Sequence, residues 1–214
     1  RFSSLRAAKV LNAQLKLSGA SNPLDRVGTA EAVLVLGADL RSESPALNWQ
    51  VQLAARKNDT NLVVANSRRV KLVRQAESFL QYQPGSEAYL AGALAKLLVD
   101  KGLADNDFLT RCVANRDELD AYLNNFDLDT ACTVTGISHE QLEKAADYLG
   151  AAASVAIIFG RDVMGAAQAE AAIAAIANLA LVTGALHGDR GGLFEVGEPH
   201  LAEHQIGCSR FPVE

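Results

Sequence analysis

The chain has 214 residues, 49% hydrophobic and 21% charged, enough apolar material for one large α/β domain or two small ones. A formal net charge of -5 and a pI near 5.4 exclude a broad electropositive footprint for nucleic acid or anionic lipid, while leaving room for a local basic cluster. Three cysteines, Cys112, Cys132 and Cys208, form no Cys-x-x-Cys pair, so the chain alone builds neither a disulfide framework nor a four-thiolate iron-sulfur cluster, and a reduced, cytoplasmic setting is expected.

Residues 1–30 read as a lead-in from upstream sequence, because Arg1-Phe2-Ser3-Ser4-Leu5 has neither an initiator methionine nor a signal-type apolar core. The run Ala32-Val33-Leu34-Val35-Leu36 has the continuous apolar character of a buried parallel strand and stops at Gly37-Ala38-Asp39. Ser42 to Ser44 followed by Pro45 marks a helix start, and the helix should reach about Lys57 with Leu47, Val51 and Ala54 or Ala55 facing the sheet. Asn58-Asp59 breaks it, and Leu62 to Ala65 is a second short strand, which should lie parallel to the first because strand-helix-strand crossovers are nearly always right-handed. A weaker strand, Ser78 to Tyr82, ends at Pro84-Gly85, after which Ser86-Glu87 opens a helix carrying Tyr89, Leu90, Ala93, Leu94 and Leu97 and stopped by Gly102.

The polar middle, about Ala104 to Ala131, reads as short helices containing Phe108, Leu109, Leu119, Tyr122 and Leu123. Ser138 with Glu140-Gln141 caps a further helix whose inward stripe is Leu142, Ala145, Ala146 and Leu149. The run Val155 to Phe159 then ends at Gly160-Arg161-Asp162, repeating the Gly-x-Asp ending of the first strand. Ala166 to Leu186 is dominated by alanine and interrupted by Gln168, Glu170 and Asn178, which argues for a packed helix over a membrane span. These elements predict an α/β fold: a doubly wound, mostly parallel sheet with helices on both faces, spanning residues 31–193, with a helical segment at about 104–150 and an irregular tail over 194–214.

Ligands of such sheets bind just past the strand C-termini, so the residues there are the candidates. The first turn lacks Gly-x-Gly-x-x-Gly, which disfavours a standard nicotinamide site; it either presents amides and Asp39 to a nucleotide or simply reverses the chain. Asn66-Ser67-Arg68-Arg69 offers guanidinium groups suited to phosphate or carboxylate, against the alternative of a solvated basic face. The Pro84-Gly85-Ser86-Glu87 turn offers a free backbone and a carboxylate, or an ordinary capped helix start. His200, His204 and Cys208 recur every fourth residue with Glu203 beside them and would share a helical face as zinc ligands, but Gly197-Glu198-Pro199 and Gly207 oppose a long helix. His187 and His139 read as loop and cap residues. No acid/base constellation stands out, and no catalytic residue or metal ligand is assigned.

From Ala32 to Leu98 the residues resemble the molybdopterin oxidoreductase family, whose pattern is a strand ending in Gly-Ala-Asn or Gly-Ala-Asp, a proline-started helix, a strand ending in Asp-Pro-Arg-Arg, and then Pro-Gly-Thr-Asp. Ile176 to Gly184 looks like that family's late helix leading into a glycine-rich stretch, and the resemblance continues weakly to about Gly207. It implies that this region binds the guanine nucleotide portion of the molybdopterin cofactor, with Gly37, Asp39, Asn66, Arg68, Arg69, Gly85, Ser86 and Glu87 around it. Two positions depart from the pattern: Asn66 stands where the family has an aspartate that accepts from guanine, and Glu87 is one methylene longer than the usual aspartate.

Such erosion resembles one branch of the family, the large subunit of the proton-pumping NADH-quinone oxidoreductase (respiratory complex I), which keeps the scaffold without using the cofactor. That resemblance implies a fragment that holds subunits together in electron transfer and is not catalytic alone. No cofactor is then expected in this stretch, with iron-sulfur clusters in the upstream region of the parent chain. The implied partners are the other subunits of a respiratory or electron-transfer complex and the N-terminal part of the same chain. Neither nucleic acid nor direct membrane insertion is expected; partner subunits would hold the domain at the cytoplasmic face of the inner membrane. The alternative is a molybdopterin guanine dinucleotide-binding domain of a catalytic molybdenum or tungsten oxidoreductase such as formate dehydrogenase.

Overall fold

A five-stranded, all-parallel sheet in the order β3-β2-β1-β4-β5 organises the chain. The computed structural model describes residues 3–17, 20–113, 115–188 and 191–196. The strands are β1 (Ala32–Leu36), β2 (Asn61–Asn66), β3 (Ser78–Gln81), β4 (Val155–Phe159) and β5 (Gly191–Glu195). The helices are α1 (Ser3–Leu15), α2 (Leu40–Glu43), α3 (Pro45–Lys57), α4 (Glu87–Asp100), α5 (Asn106–Cys112), α6 (Arg116–Asn124), α7 (Leu128–Thr135), α8 (His139–Gly150), α9 (Arg161–Gly165) and α10 (Ala169–Val182). The doubly wound arrangement expected from the sequence is therefore present.

Strand residues alternate between two cores because successive side chains leave a strand on opposite faces. Leu34, Leu36, Val63, Ala65, Leu80, Ile157 and Phe159 pack on one face beneath α1, α4, α8 and α10. Val33, Val35, Leu62, Val64, Ala156, Ile158 and Phe194 pack on the other, against Leu47 and Val51 of α3 and the short 3-10 segments Leu24–Thr29 and Lys71–Gln75. Both faces are thus covered, which is why β1 and β4 are fully buried and read as unbroken apolar runs. Each such Leu or Ile side chain contributes roughly 1.5–3 kcal/mol relative to exposure.

The helix signals act as the residue types dictate. Pro45 occupies the first turn of α3, where its missing N–H leaves no bond unmade. Ser138 and Gln141 form a reciprocal capping box at α8, and Leu142, Ala145, Ala146 and Leu149 all face inward. The short α9 ends at Gly165, and the alanine-rich stretch then forms the single helix α10, from Ala169 to Val182, which packs against both α4 and α1. Its small side chains suit it to a position buried on several sides.

Besides the short α2, α9 and 3-10 segments, two larger elements escaped the sequence reading. The lead-in contains α1, whose Ala7 and Leu11 are buried in the core. The glycine-dense stretch opens into β5, paired in parallel with β4. Ser21 shields the other edge of β5: its N–H donates to the Leu193 carbonyl at 3.0 Å, and its Oγ accepts from the Leu193 N–H at 2.8 Å. Glycine is required at the start of β5, since Gly191 has φ +127° and a Cβ there would lie 2.0 Å from the Val155 carbonyl oxygen. Gly191→Ala is expected to unpair the beginning of β5 and lower the unfolding free energy by about 2–4 kcal/mol, as measured by chemical denaturation.

Candidate nucleotide cleft at the strand C-termini

Parallel pairing puts all five strand C-termini on one edge, and the order reverses between β1 and β4, the place where open α/β sheets hold ligands. The two Gly-x-Asp endings meet there. Leu36 pairs with Phe159, the Gly160 N–H donates to the Leu36 carbonyl at 3.0 Å, and the Asp162 N–H donates to the Gly37 carbonyl at 3.0 Å. Gly37 has φ +59°, and a Cβ would stand 2.8 Å from Val163 Cγ2; at Gly160 a Cβ would stand 2.4 Å from Ala38 Cβ. The turns approach this closely because both positions lack side chains.

Glu43 completes this seam. It is 8% exposed, and one carboxylate oxygen, Oε1, accepts from the Asp39 N–H at 2.8 Å while the other, Oε2, accepts from the Arg161 N–H at 2.9 Å. A carboxylate taking one amide with each oxygen fixes the two turns relative to each other through charge-assisted bonds. The sequence reading passed over Glu43 as part of a cap; its position one residue before Ser44-Pro45, followed by the proline-started helix, was the available signal.

The next tip is built from Asn66, which is fully buried. Its Nδ2 donates to the Ala38 carbonyl at 3.3 Å and its Oδ1 accepts from the Arg68 N–H at 3.1 Å, tying the β2 turn to the β1 turn. An ionised aspartate at this position has no proton to give Ala38. Beyond β3, Gly85 has φ +89° and open space where a Cβ would be; its N–H donates to Glu87 Oε1 at 3.1 Å. Ser86 is buried, and its Oγ donates to the Gln83 carbonyl at 2.6 Å.

Above these turns lies an open cleft of about 520 Å³ whose charged and backbone lining includes Arg68, Gly85, Glu87, Arg161 and Asp162. Arg68 and Arg161 are exposed, whereas Glu87 is 3% exposed. The cleft thus offers two guanidinium groups for phosphate or carboxylate oxygens and two carboxylates for N–H or O–H donors. Of the residues named from sequence, Arg68, Gly85 and Glu87 come together in it. Asn66 and Ser86 brace it from below, and Gly37 and Asp39 belong to the stitched seam beside it. Arg69 turns to a second depression of about 460 Å³ with Gln81, Gln83 and Gln141, where its guanidinium lies 5.9 Å from the Phe79 ring centroid. Arg161 and Asp162, flagged only as a strand ending, join the cleft because β4 is the neighbour of β1.

Two further groups occupy the same edge. Tyr82, just after β3, is 2% exposed, and its hydroxyl has no hydrogen-bond partner. Burial first, then the Glu87 and Asp162 carboxylates, push its pKa far up, so it stays protonated throughout the physiological range. Glu195, at the end of β5, has its carboxyl pushed up to about 7 by burial.

His200, His204, Glu203 and Cys208 lie outside the described residues. Among the described residues, no group of three or more His, Cys, Asp or Glu side chains is placed to hold a metal ion. His187 is a loop residue beside α5, with Nδ1 3.0 Å from Asp105 Oδ2 and its ring stacked on Phe108. No helix among the described residues is long and apolar enough to cross a membrane.

The fold is that of a doubly wound α/β domain, and the chain belongs to the molybdopterin oxidoreductase family, whose model matches residues 2–206. The NADPH-Fe(3+) oxidoreductase subunit alpha of Geobacter sulfurreducens is 40% identical over 190 residues, covering 89% of this chain and 22% of that protein. The probable oxidoreductase YjgC of Bacillus subtilis is 31% identical over 166 residues, covering 78% of this chain and 17% of that protein. The F420-dependent formate dehydrogenase 1 subunit alpha of Methanococcus maripaludis is 24% identical over 168 residues, covering 78% of this chain and 25% of that protein. The chain therefore spans about a fifth of the length of the curated relatives it matches. Acetylene hydratase from Pelobacter acetylenicus shares the fold, with a TM-score of 0.67 at 19% identity over 86% of this chain and 28% of that one.

Glu43→Ala leaves the Asp39 and Arg161 amides without their acceptors and is expected to lower unfolding free energy by about 2–4 kcal/mol, with Glu43→Gln, which keeps one acceptor, losing less. Glu195 binds its proton more tightly folded than unfolded, so its contribution to stability is complete below about pH 4.5 and is lost as pH rises through about 7. Glu195→Gln is expected to flatten the fall in melting temperature across that window.

Proposed function

We propose that this chain is the part of a larger molybdenum or tungsten oxidoreductase subunit that holds the guanine-nucleotide end of molybdopterin guanine dinucleotide. The observation carrying this reading is the cleft in which Arg68 and Arg161 face Glu87 and Asp162 beside the open backbone of Gly85. The donor set fits the group: guanidinium groups suit a pyrophosphate, and carboxylates suit the N–H and O–H donors of a base and sugar. Gly85 lets a ligand approach the backbone closely. When bound, the metal on the pterin supplies the oxidation-reduction chemistry. The residues of this chain bind and orient the nucleotide tail, with Glu43 and Asn66 holding the turns in register.

The relatives named as formate dehydrogenase and iron(III) oxidoreductase alpha subunits support this reading over one confined to complex I. They also support a place among partner subunits, and cytoplasmic residence accords with it. Because the chain covers about a fifth of those proteins, the lack of iron-sulfur and metal-ligand segments in this stretch does not favour the complex I branch. A second reading, a scaffold of the complex I kind that holds its neighbours and binds no nucleotide, is favoured by one feature: Asn66, at the position of the family's aspartate, is engaged on both sides by backbone groups.

Titration with GDP separates the two. Saturable binding is expected by isothermal calorimetry, weakened about tenfold by Arg68→Ala, as loss of a charge-assisted contact predicts. No measurable binding by the folded protein would overturn the nucleotide reading in favour of the scaffold.

A further inference from the structure

The two faces of the sheet are covered unequally, and the thinner cover carries the opposite charge to the rest of the chain. Helices α1, α4, α8 and α10 close one face, whereas α3, flanked by the 3-10 segments Leu24–Thr29 and Lys71–Gln75, is the main cover of the other. Between Leu40 and Gln75 the chain has seven Lys or Arg against two carboxylates, one of them the buried Glu43, in a protein whose total charge is -5. Arg68 and Arg69 belong to the depressions past the strand tips. The other five, Arg41, Arg56, Lys57, Lys71 and Arg74, are exposed, and none of them has an ion pair among the described residues. Trp49 stands on the same cover and is 64% exposed, more than any other large apolar side chain among the described residues. Arg56 follows it two turns along α3, on the same side of the helix. Gln75 Nε2 lies 3.5 Å from Gln52 Oε1, which holds the segment bearing Lys71 and Arg74 alongside α3. Leu24, 50% exposed, is on the segment at the other flank.

We infer that this face docks a separate acidic protein, whose carboxylates pair with the five cations while Trp49 serves as the apolar anchor. Composition decides the occupant. A surface closed permanently within one subunit is built like a domain core cut in half, and unpaired cations are foreign to such a core. An exposed tryptophan with arginines around it is the make-up of contacts between proteins that also exist apart. The cations steer and align an oppositely charged partner, and burial of Trp49 then supplies the holding contact. None of these residues lines the cleft, so the inference stands apart from the nucleotide reading.

Trp49 is the chain's single tryptophan, so its fluorescence reports on this face alone. The test titrates the protein with a random copolymer of glutamate and tyrosine, comparing it with the Lys71→Glu/Arg74→Glu variant and with polyuridylate as a second probe. The expected result is a saturable blue shift of Trp49 emission, with affinity about tenfold weaker in the charge-reversed variant and falling steeply as salt is raised. The variant, altered only at exposed positions, is expected to melt as the parent does. An unshifted emission with the copolymer, or equal affinity in parent and variant, would overturn the inference. A comparable shift with polyuridylate would overturn it in favour of a general polyanion surface. Concentration-dependent dimers without any probe, weakened by the same variant in sedimentation, would overturn it in favour of self-association.

Discussion

The buried Glu43 carboxylate is the constraint on which the working edge depends. Parallel pairing delivers β1 and β4 side by side, but it leaves the turns after them free to diverge, as they do in sheets that open a crevice at the point of reversal. Here Glu43 takes one amide from each turn, and the Gly37 carbonyl takes a third from Asp162. A charge this buried is tolerated because both of its oxygens have amide partners. The two turns consequently behave as one rigid lip, and Arg161 and Asp162 are held beside the groups that follow β2 and β3.

Glycine makes that arrangement sterically available. Gly37 and Gly160 each occupy a place where a Cβ would collide with the facing turn. The repeated Gly-x-Asp ending is therefore the sequence trace of two strands that must approach closely just beyond their last hydrogen-bonded residues. Gly85 differs: nothing crowds it, and its left-handed backbone opens the third turn toward the cleft.

Much of the fold was legible because its signals are local. Unbroken apolar runs gave β1, β2 and β4, Pro45 and Ser138 gave helix starts, and the stripe from Leu142 to Leu149 gave the inner face of α8. β5 was obscured because its leading glycines signal a loop, and only the pairing with Val155 and Ala156 shows why they belong in a strand. At the edge, Arg68, Gly85 and Glu87 were legible as strand-tip residues of useful chemistry. Glu43 and Tyr82 were not: a carboxylate inside a short polar turn and an aromatic at a strand end become informative only once burial and partners are known. The divergence of Arg68 and Arg69 was equally hidden, since adjacent residues after a strand line different depressions, Arg69 beside Phe79 and Gln81 of β3 and Arg68 beside Gly85 and Arg161.

Asn66 shows how a departure from a family pattern is read through its contacts. Judged by chemistry alone, an amide in place of a carboxylate exchanges acceptors for a donor and an acceptor, and so alters what a base edge meets. In this structure the amide donates to Ala38 and accepts from Arg68, so its first effect is to splice the β2 turn onto the β1 turn. That splice sets the backbone of Arg68, whose side chain enters the cleft. On the nucleotide reading proposed above, the buried amide orients, and the charges open to a ligand are those of the cleft lining, where Arg68 and Arg161 stand with Glu87 and Asp162.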